Sequence, residues 1–259
     1  MKNKTILFTV LLSVMLSAAA FAQENGKQKA DSAHHPMNFF KVNLAALIIK
    51  DYSFQYERII NRKFSFAIGF GSMPNSSIPF KNNIIKALGD DQETIDAIKD
   101  MTLSNTTITP EFRWYASKKG YGRGFYLAPF YRYGVFKGAG LTVNIDGDVQ
   151  AKQNSLTMSG KITGNSVGLL IGFQKSWGKH LSLDTWLIGP HYGNGKGEFN
   201  GVSAAPLSQS EQDDLRQTLE DIDLPLTTKT IIVTQNGATV KLDGPFAGVR
   251  LGIVLGYKF

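Results

Sequence analysis

The stretch PFAGVRLGIVLGYKF, residues 245–259, decides the fold of this chain. Every second residue from Val249 to Phe259 is large and apolar, and the residues between them are mostly small or charged. Successive side chains of a β-strand point to opposite faces, so the stretch presents one unbroken apolar face. A membrane strand turns such a face to lipid and its other face to the lumen. The stretch therefore predicts the closing strand of a transmembrane β-barrel.

The same alternation of period two recurs along the chain. It predicts an all-β, antiparallel up-and-down transmembrane β-barrel of about eight strands, over residues 39–49, 52–60, 64–73, 106–116, 125–136, 165–175, 181–192 and 245–259. The second, fourth and sixth connections are short, and the third, fifth and seventh are long. If both termini lie in the periplasm, all three long connections are extracellular, as outer-membrane barrels require.

The long connections are predicted to be partly helical. Residues 82–101 carry apolar side chains at helical spacing, and a second helix is predicted after Ser208, through Leu215, Leu219 and Ile222. Residues 141–149 and 155–162 read as continuations of the fifth and sixth strands beyond the membrane, joined near residues 151–153. Residues 193–244 form the longest excursion, with a hairpin around Asn236-Gly237. A ten-stranded barrel that uses this hairpin is the alternative.

The amino end has the order of a secretory signal peptide. Lys2 and Lys4 precede an apolar run from Ile6 to Ala20, and Ala20-Phe21-Ala22 has the form of a cleavage site. We predict a signal peptide over residues 1–22, a flexible periplasmic lead-in over residues 23–38, and a barrel over residues 39–259.

Composition excludes several classes of protein. The chain of 259 residues contains no cysteine, which removes disulfides, thiolate metal sites and thiol catalysis. After the signal peptide, no segment approaches the roughly 18 apolar residues that a membrane helix needs. The formal charge of +7 is spread along the chain, without the basic stripe of a nucleic-acid-binding protein.

The strand pattern resembles the eight-stranded outer-membrane barrels of the OmpA and OmpW type, and more narrowly small uncharacterised barrels of Bacteroidota. The ending Leu255, Tyr257, Phe259 resembles the signal by which the barrel assembly machinery takes up its substrates. The resemblance implies a monomer in the outer membrane of a Gram-negative bacterium, surrounded by outer-membrane lipid and lipopolysaccharide. The exposed aromatics are then expected to form interfacial belts, with Trp114, Tyr131, Tyr133, Trp177 and Tyr257 as members.

The alternation also assigns charged side chains to the barrel interior. Three acids and four bases are predicted to face inward: Lys41, Glu57, Glu111, Arg113, Arg132, Asp184 and Arg250. An unpaired buried charge costs several kcal/mol, so these groups are expected to pair. An eight-stranded interior is just wide enough for side chains to fill, which favours a structural plug over an ion path.

No catalytic, cofactor-binding or metal-binding residue is predicted. His180-Leu181-Ser182 matches the His-x-Ser of one family of lipid-hydrolysing barrels, but it lies in a predicted periplasmic turn, at the wrong end. His191 lies near the outer rim and is predicted to be an interface residue, and His34-His35 alone do not make a metal site.

The sequence thus favours a structural or surface-interaction role carried by the extracellular loops. Two alternatives remain: passage or binding of a small hydrophobic molecule, as the OmpW resemblance implies, and a lipid-modifying enzyme.

Overall fold

The computed structural model describes residues 37–88, 95–96, 98–145, 154–203 and 205–259. The predicted signal peptide, most of the lead-in and His34-His35 lie outside these residues. The elements follow in the order β1 (Asn38–Asn43), α1 (Leu44–Leu47), β2 (Tyr52–Ile59), β3 (Phe64–Ser77), α2 (Lys81–Leu88), β4 (Thr102–Tyr115), β5 (Gly124–Ile145), β6 (Asn154–Trp177), β7 (Leu181–Ser203), α3 (Gln209–Asp221), β8 (Thr228–Thr234) and β9 (Gly237–Lys258). Within the described part of the chain, none of the helices is both long enough and apolar enough to cross a membrane.

The strands form one antiparallel sheet that closes on itself. β1 to β7 pair in sequence order, β7 pairs with β9, and β9 returns to β1 through the register Phe39↔Lys258 to Asn43↔Val254. This ring of eight strands confirms the predicted eight-stranded antiparallel barrel. The ten-stranded alternative is wrong, because β8 is added beside the first seven residues of β9, from Gly237 to Asp243, and takes no place in the ring.

The alternation of β9 appears directly in its burial. Val249, Leu251, Ile253 and the other three outward residues predicted for this strand are between 38% and 62% exposed, whereas Arg250 and Val254 are buried. The other ring strands follow the same rule, and the outside of the ring is covered by exposed apolar side chains, including Phe40, Phe54, Phe66, Ile68, Phe70, Ile108, Phe112, Val167, Leu169 and Ile171. The hydrophobic face of each strand therefore points out of the ring.

Aromatic side chains mark the two ends of this apolar exterior. Trp114, Trp177 and Tyr257 are exposed near the short turns, at the end of the ring that holds Asn38 and Phe259, and Tyr131 and Tyr133 are exposed toward the opposite end. On β9, ten residues separate Ala247, which pairs with Tyr192, from Tyr257, which pairs with Leu181. At a strand rise of about 3.3 Å and a tilt of about 40°, they span roughly 25 Å along the barrel, the height of the apolar band in outer-membrane barrels.

The first strand is shorter than the predicted range of residues 39–49. β1 ends at Asn43, whose side-chain Oδ1 accepts hydrogen bonds from the amides of Ala45 and Ala46, at 3.1 and 3.3 Å. Asn43 is thereby the N-cap of α1. An asparagine side chain competes with the strand ladder for backbone donors, and this local capping ends the strand where alternation alone would continue it.

Four ring strands continue well beyond the apolar exterior. β5, β6, β7 and β9 are 22 to 24 residues long, against the roughly 9–11 residues that a tilted membrane crossing needs. The predicted continuations of the fifth and sixth strands are present, and their junction near residues 151–153 lies outside the described residues. These ends of β5, β6, β7 and β9, which lie farthest from Asn38 and Phe259, form a five-stranded part together with β8, and we call this part the extension.

The prediction that residues 193–244 form one long excursion was wrong, since β7 runs to Ser203 and β9 begins at Gly237. The inward positions of β7 beyond Tyr192 are largely glycine and the outward ones largely polar, so the apolar signal of a membrane strand is missing there. Close packing explains the glycines. A Cβ at Gly193 would lie 1.9 Å from the carbonyl oxygen of Asn165 on β6.

Helix α3 closes the inner face of the extension. It begins at the predicted place, with a capping box between Ser208 and Glu211. Leu215 and Leu219 are buried in an apolar cluster together with Leu156, Met158, Leu207, Val233, Ala238 and Val240. The helix extends to Asp221, and Ile222, predicted to lie within it, is its C-cap and is exposed outside this cluster. The extension therefore has a hydrophobic core of its own.

Candidate functional site

Polar side chains from all eight ring strands meet inside the barrel. They are joined by ion pairs and hydrogen bonds into one group, which we call the interior network. Its members are Lys41 on β1, Gln55 and Glu57 on β2, Ser65 on β3, Glu111, Arg113 and Tyr115 on β4, Tyr126 on β5, Gln174 on β6, Asp184 on β7 and Arg250 on β9. Each side chain occupies an inward position of its strand.

Arg113 is the hub of the interior network. Its Nε donates to Glu111 Oε1 at 2.6 Å, and its Nη1 lies 2.7 Å from Asp184 Oδ2 and 3.2 Å from Glu57 Oε2. Its Nη2 donates to Gln55 Oε1 at 2.8 Å. The side chain is fully buried, and one guanidinium thus contacts all three carboxylates of the network.

Lys41 supplies the second positive charge. Its Nζ lies 2.5 Å from Glu57 Oε2 and 2.8 Å from Asp184 Oδ2. The same carboxylates also accept neutral hydrogen bonds, from Tyr115 Oη to Glu57 at 2.6 Å and from Tyr126 Oη to Asp184 at 2.8 Å. Each of these two buried acids therefore has both charged and neutral partners, which is the condition under which a buried charge is tolerated.

Arg250 supplies the third positive charge, and it lies six residues along β9 from Gly256, the residue that pairs with Lys41. Its Nη1 lies 3.0 Å from Glu111 Oε2. Its guanidinium carbon lies 4.6 Å from the ring centre of Phe130 and 4.5 Å from that of Trp186. Cation–π attraction is strongest where the cation is desolvated, and Arg250 is only 6% exposed.

The interior network is electrically balanced. It holds the bases Lys41, Arg113 and Arg250 and the acids Glu57, Glu111 and Asp184. Replacing such a group as a whole by apolar residues is often neutral for stability, but removing one member leaves a buried charge unpaired and costs about 3–5 kcal/mol. Whatever its net contribution to stability, the network has these ion pairs only in the register that the strands adopt here.

Arg132 does not join this network. In the described part of the chain no ion pair links its side chain to Glu57, Glu111 or Asp184, and Lys41 contacts two of these acids instead. Arg132 interacts electrostatically with Asp51, in the connection that precedes β2. Burial raises the pKa of Asp51, and the positive charge of Arg132 opposes that shift.

The two residues that match the His-x-Ser pattern, His180 and Ser182, are not brought together. His180 is exposed in the turn between β6 and β7, where its ring stacks on Tyr257 and its Nδ1 lies 3.1 Å from the carbonyl oxygen of Lys258. Ser182, by contrast, is fully buried inside the ring. His191 faces the interior as well, between the rings of Phe130 and Phe246, so its prediction as an interface residue was wrong.

Over the residues that the structure describes, no group of three or more His, Cys, Asp or Glu side chains is arranged to hold a metal ion. The predicted charge network did not include its neutral members, although each stands at an inward position of a predicted strand: Gln55, Ser65, Tyr115, Tyr126 and Gln174. A search of inward positions for neutral hydrogen-bonding side chains would have found them.

The fold and this interior define the class of protein: an eight-stranded antiparallel β-barrel with an ion-paired inside and an apolar outside, which fits an outer-membrane barrel. Among solved structures, the chain is similar to Acinetobacter baumannii CarO2, with a TM-score of 0.30 and 13% sequence identity, over 82% of this chain and 99% of that one. No protein-family model matches the chain, and no curated protein matches it.

Proposed function

We propose that the protein is an integral outer-membrane β-barrel whose lumen is closed to ions and whose role is structural or lies in surface interaction through its extracellular part. The interior network is the observation that carries this proposal. The apolar band of roughly 25 Å between two sets of aromatic side chains supports insertion in a bilayer.

The direction of insertion follows from the connections. The turns at residues 60–63, 116–123 and 178–180 are short and lie at the same end as Asn38 and Phe259. The extension and α3 lie at the opposite end. Outer-membrane barrels have short periplasmic turns and long extracellular loops, so the extension is assigned to the cell surface.

The positions of the network residues support closure of the lumen. Five charged network residues have fully buried side chains: Lys41, Glu57, Glu111, Arg113 and Asp184. Together with their partners they include a side chain from every strand of the ring, and β9 is reached through the Glu111–Arg250 ion pair. An eight-stranded barrel is only wide enough for its side chains to fill the interior. A filled layer of paired charges leaves no continuous column of water for an ion to follow.

Planar-bilayer recording tests this closure. The purified protein is expected to insert without stable conductance, while a general porin recorded in the same bilayers shows steady open channels. Steady, ion-selective channels from the unmodified protein would overturn the closed lumen and make transport the leading function.

A second candidate function is the binding of a small apolar molecule. It is supported by a cavity of about 240 Å³ at the junction of the ring and the extension, lined by Phe136, Ile162, Leu224, Leu242 and Phe246. Apolar cavities with few polar groups are the usual sites of small hydrophobic ligands. The proposal includes no catalytic step.

Filling this cavity tests the second candidate. Gly195 lines it, and a Cβ there would lie 3.3 Å from Phe246 and 3.7 Å from Ile162, so the side chain of Gly195→Leu would occupy the space. If the cavity binds apolar molecules, this variant loses binding of a fluorescent apolar probe, and Asn194→Leu, on the outward face of the same strand, retains it. Equal binding by both variants would exclude the cavity as the site.

A further inference from the structure

A row of lysines crosses the outer face of the extension. In the strand register, Lys137 pairs with Lys161, Lys161 with Glu198, and Glu198 with Lys241. The next row toward the ring pairs Thr163 with Lys196 and Lys196 with Asp243. We call these residues the lysine row, with Lys137, Lys161, Lys196 and Lys241 as its bases.

Two hollows in the surface lie along the lysine row. The larger has a volume of about 520 Å³ and is lined by Lys161, Lys196 and Lys241 together with the hydroxyl-bearing residues Thr163, Thr228 and Thr230. The smaller, of about 380 Å³, is lined by Lys137 and Asn200 and shares Lys161 and Glu198 with the larger one. Ammonium and hydroxyl donors thus surround spaces large enough for a charged headgroup.

The positive charge of the lysine row is only partly compensated. Lys196 lies 3.3 Å from Asp243, and both side chains are more than half exposed, so this pair is weak. Lys137, Lys161 and Lys241 form no ion pair or side-chain hydrogen bond within the described residues. Lys137 and Lys161 are moreover direct cross-strand partners, an arrangement that destabilises a sheet unless an anion lies between them.

The height of the lysine row matches the headgroup region of a bilayer. On the same outward face, toward the ring, Tyr131 pairs with Val167 and Val167 with Tyr192, and all three are exposed. Tyrosines on the outside of a barrel mark the boundary of the hydrocarbon region. Four residues separate Tyr192 from Lys196, roughly 10 Å along the barrel axis, and six separate it from Glu198, the partner of Lys161 and Lys241, roughly 15 Å. Lysine side chains can bend toward the membrane surface over that distance.

We propose that the lysine row binds the phosphate groups of a phosphorylated lipid of the outer leaflet, whose acyl chains lie against the apolar exterior of β6, β7 and β9. This inference rests on the proposed function, because it requires the extension to stand directly above the outer leaflet. Charge-assisted hydrogen bonds from lysine to phosphate are short and strong, and basic clusters beside a membrane bind anionic headgroups. The site continues the lipid-facing surface of the same strands, which favours a lipid over a soluble anion.

Lipid A with two phosphates is the probe that tests this inference. The parent protein and Lys161→Gln/Lys241→Gln are placed in nanodiscs of phosphatidylcholine, and bound lipid A is counted by native mass spectrometry. We expect the double variant to bind about 25-fold more weakly, about fivefold for each lysine. Lys118→Gln/Lys119→Gln, which removes the same charge from the turn between β4 and β5, should bind as the parent does.

Three results would overturn the inference: dephosphorylated lipid A that binds as tightly as lipid A, a control variant that loses as much affinity as the test variant, or a site that prefers free inorganic phosphate. Fractionation of cell envelopes separates this failure from failure of the proposed function. If the parent is recovered in the outer membrane and its lipid A binding does not depend on the lysines, the lysine row alone is refuted. A parent that is absent from the outer membrane refutes the proposed function itself.

Discussion

Arg113→Met is expected to lower the free energy of unfolding by about 3–5 kcal/mol, because it leaves three buried carboxylates with fewer positive partners. Arg113 Nη1 contacts both Asp184 and Glu57, and Nε contacts Glu111. After the substitution Lys41 and Arg250 remain, so two charges face three. Urea unfolding in detergent micelles, followed by the shift of gel mobility on heating, measures the change.

Variants of two other arginines are the comparisons for Arg113→Met. Arg216→Met, on the exposed surface of α3, is the matched control and should unfold like the parent. Arg250→Met should cost less than Arg113→Met, because Glu111 keeps its hydrogen bond from Arg113. If Arg113→Met does not fold at all, the intermediate stability of Arg250→Met still tests the network. A parent-like stability for both variants would contradict it.

Ile253→Arg is expected to cost about 2–4 kcal/mol, because it places a charge on the lipid face near the bilayer midplane. Ile253 is 51% exposed on the outside of the ring and pairs with Thr185, near the middle of the roughly 25 Å apolar band. The measurement is reversible unfolding of the protein refolded in phospholipid vesicles, where the lipid face contacts a true bilayer.

The control for Ile253 makes the same chemical change outside the membrane. Ile222 is the exposed C-cap of α3. The Ile222→Arg variant should have a free energy of unfolding within about 0.5 kcal/mol of the parent's. An Ile253→Arg variant as stable as this control would mean that the outward face of β9 does not contact lipid.

The ring could be predicted from sequence because lipid and lumen impose opposite demands on neighbouring residues. Val249 to Phe259 shows this at the end of the chain, and Phe64 to Phe70 shows it on β3. Outside the bilayer the outward-facing residues need not be apolar, so the alternation is lost. The far halves of β7 and β9 carry glycine and polar residues, so the sequence predicts a loop there although the backbone continues the same strands.

The candidate site could be predicted only in part for a related reason. The alternation of residues predicts the side of the sheet on which Lys41, Glu111 and Arg132 lie, and the structure places each of them on the inside. It does not report height along the barrel axis, which depends on the stagger between strands. Lys41 and Asp184 come from strands far apart in sequence and meet, whereas Arg132 lies in a different layer, with Asp51 as its acid.

The distribution of the interior network over all eight strands bears on how the barrel is completed during biogenesis. Lys41 enters with the first strand, and its partner Asp184 lies 143 residues later in the chain. Until β9 returns to β1, the curled sheet has no enclosed interior, and water can solvate these charges. Closure with a slip of one residue would turn the charges of the misplaced strand toward lipid. We therefore infer that the ionic layer disfavours closure in a register shifted by one residue, because such a seam would place charged side chains in lipid.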